Sequence, residues 1–221
     1  MGTRKIFTDE LSHLRHDILM MATMVEENLG KALTALRTRN SDLAKEVRDY
    51  DVKIDALQLK IEDNAAFIIA TQQPVARDLR EMVTIFKLAS NIERIGDYAK
   101  QLARAARRLA KEGDTPFRAQ EHLEKMAEFG KIMIRSAISA YMEQDAEAAR
   151  KAAAMDNNID EEHKEPTDNI LKLMKKKPDL IKSAHHILHT SNQLERLGDH
   201  VTNICEAVIY MIEGKHEDLN E

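Results

Sequence analysis

The sequence contains few of the residues that form tight turns and sheets. Among 221 residues there are seven glycines and four prolines, the aromatic residues amount to 4%, and tryptophan is absent. Ala, Leu, Glu, Lys, Arg and Met dominate instead, and straight-chain residues of this kind lose little rotamer freedom in a helix. A chain with few turns and many helix formers forms long helices, so sheet-dominated folds are excluded.

The sequence also has few cysteines, no excess of basic residues and no long apolar run, and each of these features excludes a class of protein. Cys205 is the only cysteine, which excludes an intramolecular disulfide and a zinc site built from cysteines. The net charge of −5 lacks the basic footprint of nucleic-acid-binding proteins, so we expect no nucleic-acid partner. No apolar run approaches the roughly 18 residues of a membrane-spanning helix, and the start of the chain shows no signal peptide. We therefore expect a cytoplasmic protein.

Apolar residues recur at the spacing of long amphipathic helices. Leu11, Leu14 and Ile18 follow alternating steps of three and four residues, as the buried seam of a helix does. Breaks at residues 40–42 and 72–74 divide the first half into three predicted helices, and the first of these breaks contains N-cap candidates.

The chain repeats itself around its strongest break, residues 113–116. At an offset of 105, residues 31–55 match residues 136–160 without a gap. At an offset of 102, residues 93–97 match residues 195–199. We therefore predict an all-α protein of two tandem three-helix bundles related by internal duplication, with six helices in all. The predicted repeats are residues 1–113 and residues 114–221.

One residue conflicts with this pattern. Pro166 lies inside the fifth predicted helix. A proline in a helix interior costs about 3 kcal/mol, because it removes a hydrogen bond and clashes with the preceding turn. We expect Pro166 to kink or split that helix.

Acidic pairs spaced four residues apart occur on two neighbouring helices of each half. Residues four apart share a helix face, and their helical positions predict that these pairs lie away from the apolar stripe. Converging carboxylates repel one another unless a cation neutralises them, and oxygen-rich clusters suit Mg²⁺, Mn²⁺, Ca²⁺ or oxidised iron. The pairs are Asp51/Asp55 with Glu93/Asp97, and Asp156/Asp160 with Glu195/Asp199.

Spacing alone leaves two interpretations open, a solvated polar face and a surface metal site. Gly96 and Gly198 bear on the choice, because a glycine in a helix interior costs about 1 kcal/mol relative to alanine. A helix that keeps such a glycine usually needs the close approach of a ligand or another backbone. The recurrence of the acidic element in both halves favours a metal site, whereas helix packing explains the glycines without one.

Two longer motifs resemble the PhoU family. Residues 73–80 and 91–97 resemble its first half, and residues 194–206 resemble its second half. The resemblance covers nearly the whole chain. It implies two three-helix bundles that carry multinuclear metal clusters on the eight carboxylates named above. The resemblance favours iron, with Mg, Mn, Zn and Ca as alternatives.

The resemblance also implies a function. Such a protein is a negative regulator of the phosphate-starvation response that acts by contact, with the ATPase of the phosphate ABC transporter and the phosphate-sensing histidine kinase as partners. It reaches the membrane only through them, and a homodimer is expected. Because Pro166 departs from the unbroken helix of the family, we expect the first half to be the safer metal site.

Two alternatives stay open. A metal-dependent oxidase or iron-storage bundle needs carboxylates and histidines inside a four-helix core, whereas these carboxylates are predicted to lie away from the apolar stripe. A metal-free structural adaptor of a phosphate transporter would keep the fold without a metal. The sequence contains no phosphate-binding glycine loop, nucleophile elbow or Ser/His/Asp constellation, so we expect no enzyme.

Overall fold

The computed structural model describes residues 2–112 and 117–220, and long helices make up most of them. No strand occurs among these residues, so the all-α prediction is confirmed. No helix in the same ranges is long and apolar enough to cross a membrane. The helices are α1 (Gly2–Thr38), α2 (Ser41–Gln72), α3 (Ala76–Glu112), α4 (Phe117–Glu143), α5 (Ala146–Ala153), α6 (Asp156–Lys176) and α7 (Ile181–Glu213), with a 3₁₀ turn at Pro178–Leu180.

The predicted start of the second helix is confirmed. The side chain of Asn40 accepts hydrogen bonds from the backbone N–H groups of Asp42 and Leu43, each at 3.0 Å. Such a cap satisfies amide groups that have no partner within the helix. In the second half, Asp145 caps α5 in the same way through the N–H of Ala148.

The fifth predicted helix is divided into α5 and α6, which makes seven helices in the described ranges instead of six. The division lies at Ala154 and Met155, where the N–H of Met155 donates to the carbonyl of Ala152 at 3.2 Å and tightens the turn. Helix α6 runs through Pro166. The expectation that Pro166 splits its helix is therefore wrong, since the chain divides well before it.

Helices α1, α2 and α3 pack together as one bundle, and α4 to α7 form the other. Apolar stripes line the two cores, as shown by Ile92 and Ile95 on α3 and by Leu197 and Val201 on α7, which are all fully buried. The bundles contact each other mainly through α3 and α7, with α1 against α4. The boundary predicted at residues 113–116 lies outside the described residues and stays a prediction.

Polar contacts set the register of α3 against α7. The hydroxyl of Thr84 donates to the carbonyl oxygen of Ala207 at 3.1 Å, and Thr84 is fully buried. Farther along, Nδ1 of His200 lies 2.8 Å from Oδ1 of Asn91, and its ring packs against Tyr98. Because such contacts occur at both places, the two bundles have one preferred alignment.

A forked ion pair joins α1 to α3 near α4. The guanidinium of Arg15 donates to both carboxylate oxygens of Glu81, at 2.6 and 2.9 Å, and Glu81 is only 4% exposed. The phenol of Tyr141 on α4 is buried beside this pair, and its burial is the main reason that its pKa is raised. The pair therefore supports the packing of three helices.

Replacing Glu81 by alanine should lower the free energy of unfolding by about 2 kcal/mol, because Arg15 would lose its partner in a partly buried position. Urea denaturation measures the change. Arg135→Ala is the control, since Arg135 pairs with Glu26 from an exposed position. The control should leave the urea midpoint almost unchanged, and equal effects of the two substitutions would contradict this assignment.

Candidate metal centre

The four acidic residues of the first half come together between α2 and α3, and we call them the α2–α3 cluster. Asp51 and Asp55 lie on α2, and Glu93 and Asp97 lie on α3. Burial, followed by the charges of Asp51 and Asp97, raises the pKa of Asp55. The pKa of Glu93 is raised by burial and then by Asp97, Asp55 and Asp51. All four carboxylates therefore lie within one electrostatic environment.

A lysine on α3 pairs with this cluster. The ammonium of Lys100 lies 2.6 Å from Oδ1 of Asp97 and also contacts Oδ2 of Asp51. Burial lowers the pKa of Lys100, but its hydrogen bonds to the two carboxylates outweigh that effect, so the pKa is raised above its ordinary value. The α2–α3 cluster thus contains a positive charge of its own.

The outward orientation predicted for the acidic pairs is wrong for Asp51. This residue is only 3% exposed, because it lies on the flank of α2 that faces α3 and the side chain of Lys100. Asp51 lies on a flank of α2, to one side of the apolar stripe, and that flank becomes buried because α3 packs closely against it.

The acidic residues of the second half lie between α6 and α7 and form the α6–α7 cluster. Asp156 and Asp160 lie in the first turns of α6, and Glu195 and Asp199 lie on α7. Burial, followed by the charges of the other three, raises the pKa of Asp156 to about 7. In the described part of the chain, no lysine or arginine forms an ion pair with these four carboxylates.

Two oxygen atoms on α6 and α7 lack hydrogen-bond partners among the described residues. They are Oδ1 of Asp156 and the hydroxyl of Thr202, and both atoms are buried. Thr202 lies four residues after Gly198 and therefore on the same face of α7. A buried oxygen without a partner costs free energy, so this region would gain from a cation.

The two glycines of the duplicated element have different surroundings. A Cβ atom at Gly198 would overlap Oδ1 of Asp156, so the glycine makes room for this carboxylate against α7. A Cβ atom at Gly96 would meet Ile54 and Val25 at 3.5 Å, which is an ordinary contact. The group that approaches Gly198 closely is a side chain of α6 and not the expected ligand or backbone, and the contacts above Gly96 are those of ordinary helix packing.

Gly96→Ala should raise the free energy of unfolding by up to about 1 kcal/mol, the intrinsic difference between glycine and alanine in a helix. Gly198→Ala should give no such gain, since Asp156 and Ile159 would have to move. Urea denaturation of the two variants measures the difference. Equal stabilisation by both substitutions would show that Asp156 does not depend on the space above Gly198.

The chemistry of the donors suits a hard cation, since each cluster offers carboxylate oxygens. The unpartnered Oδ1 of Asp156, which Gly198 allows to lie against α7, fits a cation at the α6–α7 cluster. In the α2–α3 cluster the ammonium of Lys100 already supplies positive charge. Within the described ranges, no group of three or more His, Cys, Asp or Glu side chains is arranged to hold a metal ion. Metal binding would therefore require carboxylates to turn, and the ligand role of the eight residues stays a prediction.

Asp156→Asn should stabilise the metal-free protein at pH 8. The pKa of this carboxyl rises from 3.8 to about 7 on folding. The folded state therefore binds more protons than the unfolded state between these values, and stability falls as pH rises through them. We expect a gain of about 1–2 kcal/mol at pH 8, after allowing for solvent screening.

The measurement is urea denaturation in EDTA from pH 4 to pH 8. The gain should shrink as the pH falls from 7 toward the ordinary pKa of 3.8, because Asp156 is then protonated in the folded state and increasingly protonated in the unfolded state. A gain that does not change with pH would assign the effect to packing instead of charge.

The contact of Lys100 with the acidic residues was not predicted, although the spacing of Lys100 from Asp97 indicates it. Lys100 follows Asp97 by three residues, and the offset of 102 aligns it with Thr202. Residues three apart on a helix are neighbours, so the lysine was placed to reach the acidic pair. Comparing the two halves position by position would have shown that only one of them carries it.

The fold and the two acidic clusters define the class of this protein as a duplicated helical bundle with one carboxylate cluster in each half. The family model of the PhoU domain matches the chain twice, at residues 18–106 and at residues 123–208. The chain belongs to the PhoU family. The resemblance drawn from the sequence motifs is therefore confirmed.

Individual relatives agree with this assignment over almost the full length. The chain is 33% identical over 220 residues to the phosphate-specific transport system accessory protein PhoU homolog of Clostridium acetobutylicum, covering 99% of this chain and 100% of the relative. It is 30% identical over 209 residues to the phosphate-specific transport system accessory protein PhoU of Escherichia coli K12, covering 95% and 86%.

Solved structures show the same architecture. The crystal structure of PhoU from Pseudomonas aeruginosa matches with a TM-score of 0.90 at 34% identity, covering 95% of this chain and 100% of that one. The phosphate transport system regulatory protein PhoU from Streptococcus pneumoniae matches with a TM-score of 0.88 at 29% identity, covering 96% and 99%.

Proposed function

We propose that this protein is a negative regulator of the phosphate-starvation response that acts by contact with the phosphate transport machinery. The observation that carries the proposal is its similarity, over nearly the full chain, to accessory proteins of the phosphate-specific transport system. Its expected partners are the ATPase of the phosphate ABC transporter and the phosphate-sensing histidine kinase. Both present surfaces in the cytoplasm, where we expect the protein to act.

The architecture supports a function that depends on contact. Long helices, with polar contacts that align α3 against α7, hold the surfaces of the two bundles in a stable arrangement. Helix α2 exposes Val52, Leu59 and Phe67, each at least 60% exposed. Their spacing of seven and eight residues places them on one side of the helix. We expect this apolar face to contact a partner or the second copy in a homodimer.

The proposal includes metal binding at the α6–α7 cluster. Asp156, Asp160, Glu195 and Asp199 would hold the ion, and Gly198 would keep Asp156 close to α7. A cation there would neutralise the carboxylates and offer open coordination positions to a phosphate group or an acidic side chain. The resemblance favours iron, and the carboxylate donors also suit Mg²⁺, Mn²⁺ and Ca²⁺.

The second candidate function is a metal-free adaptor of the same transport system. The observation in its favour is Lys100, a cation of the chain itself that pairs with two of the four carboxylates of the α2–α3 cluster. The two candidates share their partners and differ only in whether the α6–α7 cluster takes up metal. An oxidase or iron-storage function has no comparable support, because each cluster draws its carboxylates from two helices, whereas such a site draws its ligands from four.

Deleting the gene should leave alkaline phosphatase active in cells grown with abundant phosphate, because a negative regulator of the starvation response would be missing. The wild-type gene should restore repression. Alkaline phosphatase activity in the deletion strain measures the effect. Normal repression in the deletion strain would contradict the regulatory role.

Complementation with variants then distinguishes a regulator that needs bound metal from an adaptor that needs only contact with its partners. A gene carrying Glu195→Ala with Asp199→Ala should fail to restore repression if metal is needed, whereas Glu161→Ala, an exposed acid on α6 outside the cluster, should restore it. Full repression by the double variant would favour the metal-free adaptor. Pull-down of the transporter ATPase by the purified protein tests the contact directly.

A further inference from the structure

We propose that the two halves of this chain have diverged in the cation they use. Lys100 is a built-in cation of the α2–α3 cluster, which takes no metal, and the α6–α7 cluster is the one that binds a divalent ion. The inference rests on the metal-binding part of the proposed function and reverses the order expected from Pro166.

The first step is the position of the Lys100 ammonium. It lies between Asp51 on α2 and Asp97 on α3, where an ion bridging the two helices would lie. The side chain is 20% exposed and that of Asp51 is 4% exposed, so both charges are largely withdrawn from water. A divalent ion entering this cluster would have to break both ion pairs and expel the ammonium.

The second step is the equivalent position in the other half. The offset that aligns Asp97 with Asp199 aligns Lys100 with Thr202, which is neutral and fully buried. The partner of Lys100, Asp51, aligns with Asp156, and Oδ1 of Asp156 is buried without a hydrogen-bond partner among the described residues. The second half therefore retains the carboxylate and lacks the internal cation.

The third step excludes the neighbouring arginines as the source of the difference. Arg94 lies 3.8 Å from the carboxylates of Glu93 and Asp97, and its side chain is 59% exposed. Arg196 occupies the aligned position in the second half. Both halves carry this arginine, so it does not distinguish them, whereas the exchange of Lys100 for Thr202 removes the ammonium that contacts Asp51 and Asp97.

The test replaces Lys100 of the first half by the threonine that occupies the aligned position in the second half. Lys100→Thr gives the α2–α3 cluster the residue of the α6–α7 cluster, and Mn²⁺ uptake is measured by isothermal titration and metal analysis on the full chain. Lys100→Thr should bind twice as much Mn²⁺ as the wild-type protein. The double variant with Lys100→Thr and Asp55→Asn should bind only as much Mn²⁺ as the wild-type protein.

A second comparison works in the wild-type background and does not depend on the folding of Lys100→Thr. Asp160→Asn should lose Mn²⁺ uptake entirely, because the wild-type protein has one metal-binding cluster. Asp63→Asn, an exposed acid of α2 outside both clusters, is the control for the loss of one negative charge. Far-UV circular dichroism checks that each variant keeps its helices.

Three results would overturn the inference. The first is equal Mn²⁺ uptake by the wild-type protein and Lys100→Thr, and the second is an Asp160→Asn variant that keeps half of the wild-type uptake. A wild-type protein that binds no Mn²⁺ but restores repression also overturns it, while the regulatory function stands. A wild-type protein that binds Mn²⁺ at the α6–α7 cluster but does not restore repression keeps the inference and removes the proposed function.

Discussion

Four carboxylates held between two packed helices repel one another, and this repulsion is the constraint on which both clusters depend. Water screens such charges on an open surface, but Asp51 is almost completely buried and an oxygen of Asp156 is enclosed. In the first half the charge is reduced by Lys100. In the second half the pKa of Asp156 rises to about 7, so part of the charge is removed by a proton in the absence of metal.

The framework around the clusters explains why they can hold unfavourable charges. Each cluster lies beside a continuous apolar core, with Ile92 and Ile95 on α3 and Leu197 and Val201 on α7 buried one turn or less from the acidic residues. Burial of such side chains contributes about 1.5–3 kcal/mol each. The two bundles support each other through α3 and α7, the same helices that carry the Glu-x-x-x-Asp pairs. Packing of the core therefore offsets the cost of bringing the carboxylates together.

Duplication gives the two halves one backbone plan, and single residues then make them differ. Gly198 admits the carboxylate of Asp156 against α7, whereas the equivalent Gly96 has ordinary space above it. Lys100 and Thr202 hold equivalent positions with different charge. Two bundles of the same fold can therefore carry different chemistry, because a side chain beside the acidic pairs can change while the helical backbone stays the same.

The sequence by itself determined the helical class, the duplication and the spacing of the eight acidic residues in pairs along their helices. Apolar spacing and the low content of glycine and proline act locally along one helix, and the structure confirms the cap at Asn40 and the buried stripes. The tertiary structure decided which of these residues are buried and what lies opposite them. The burial of Asp51 and its pairing with Lys100 depend on how closely neighbouring helices approach. The spacing of residues within a single helix contains no information about that approach.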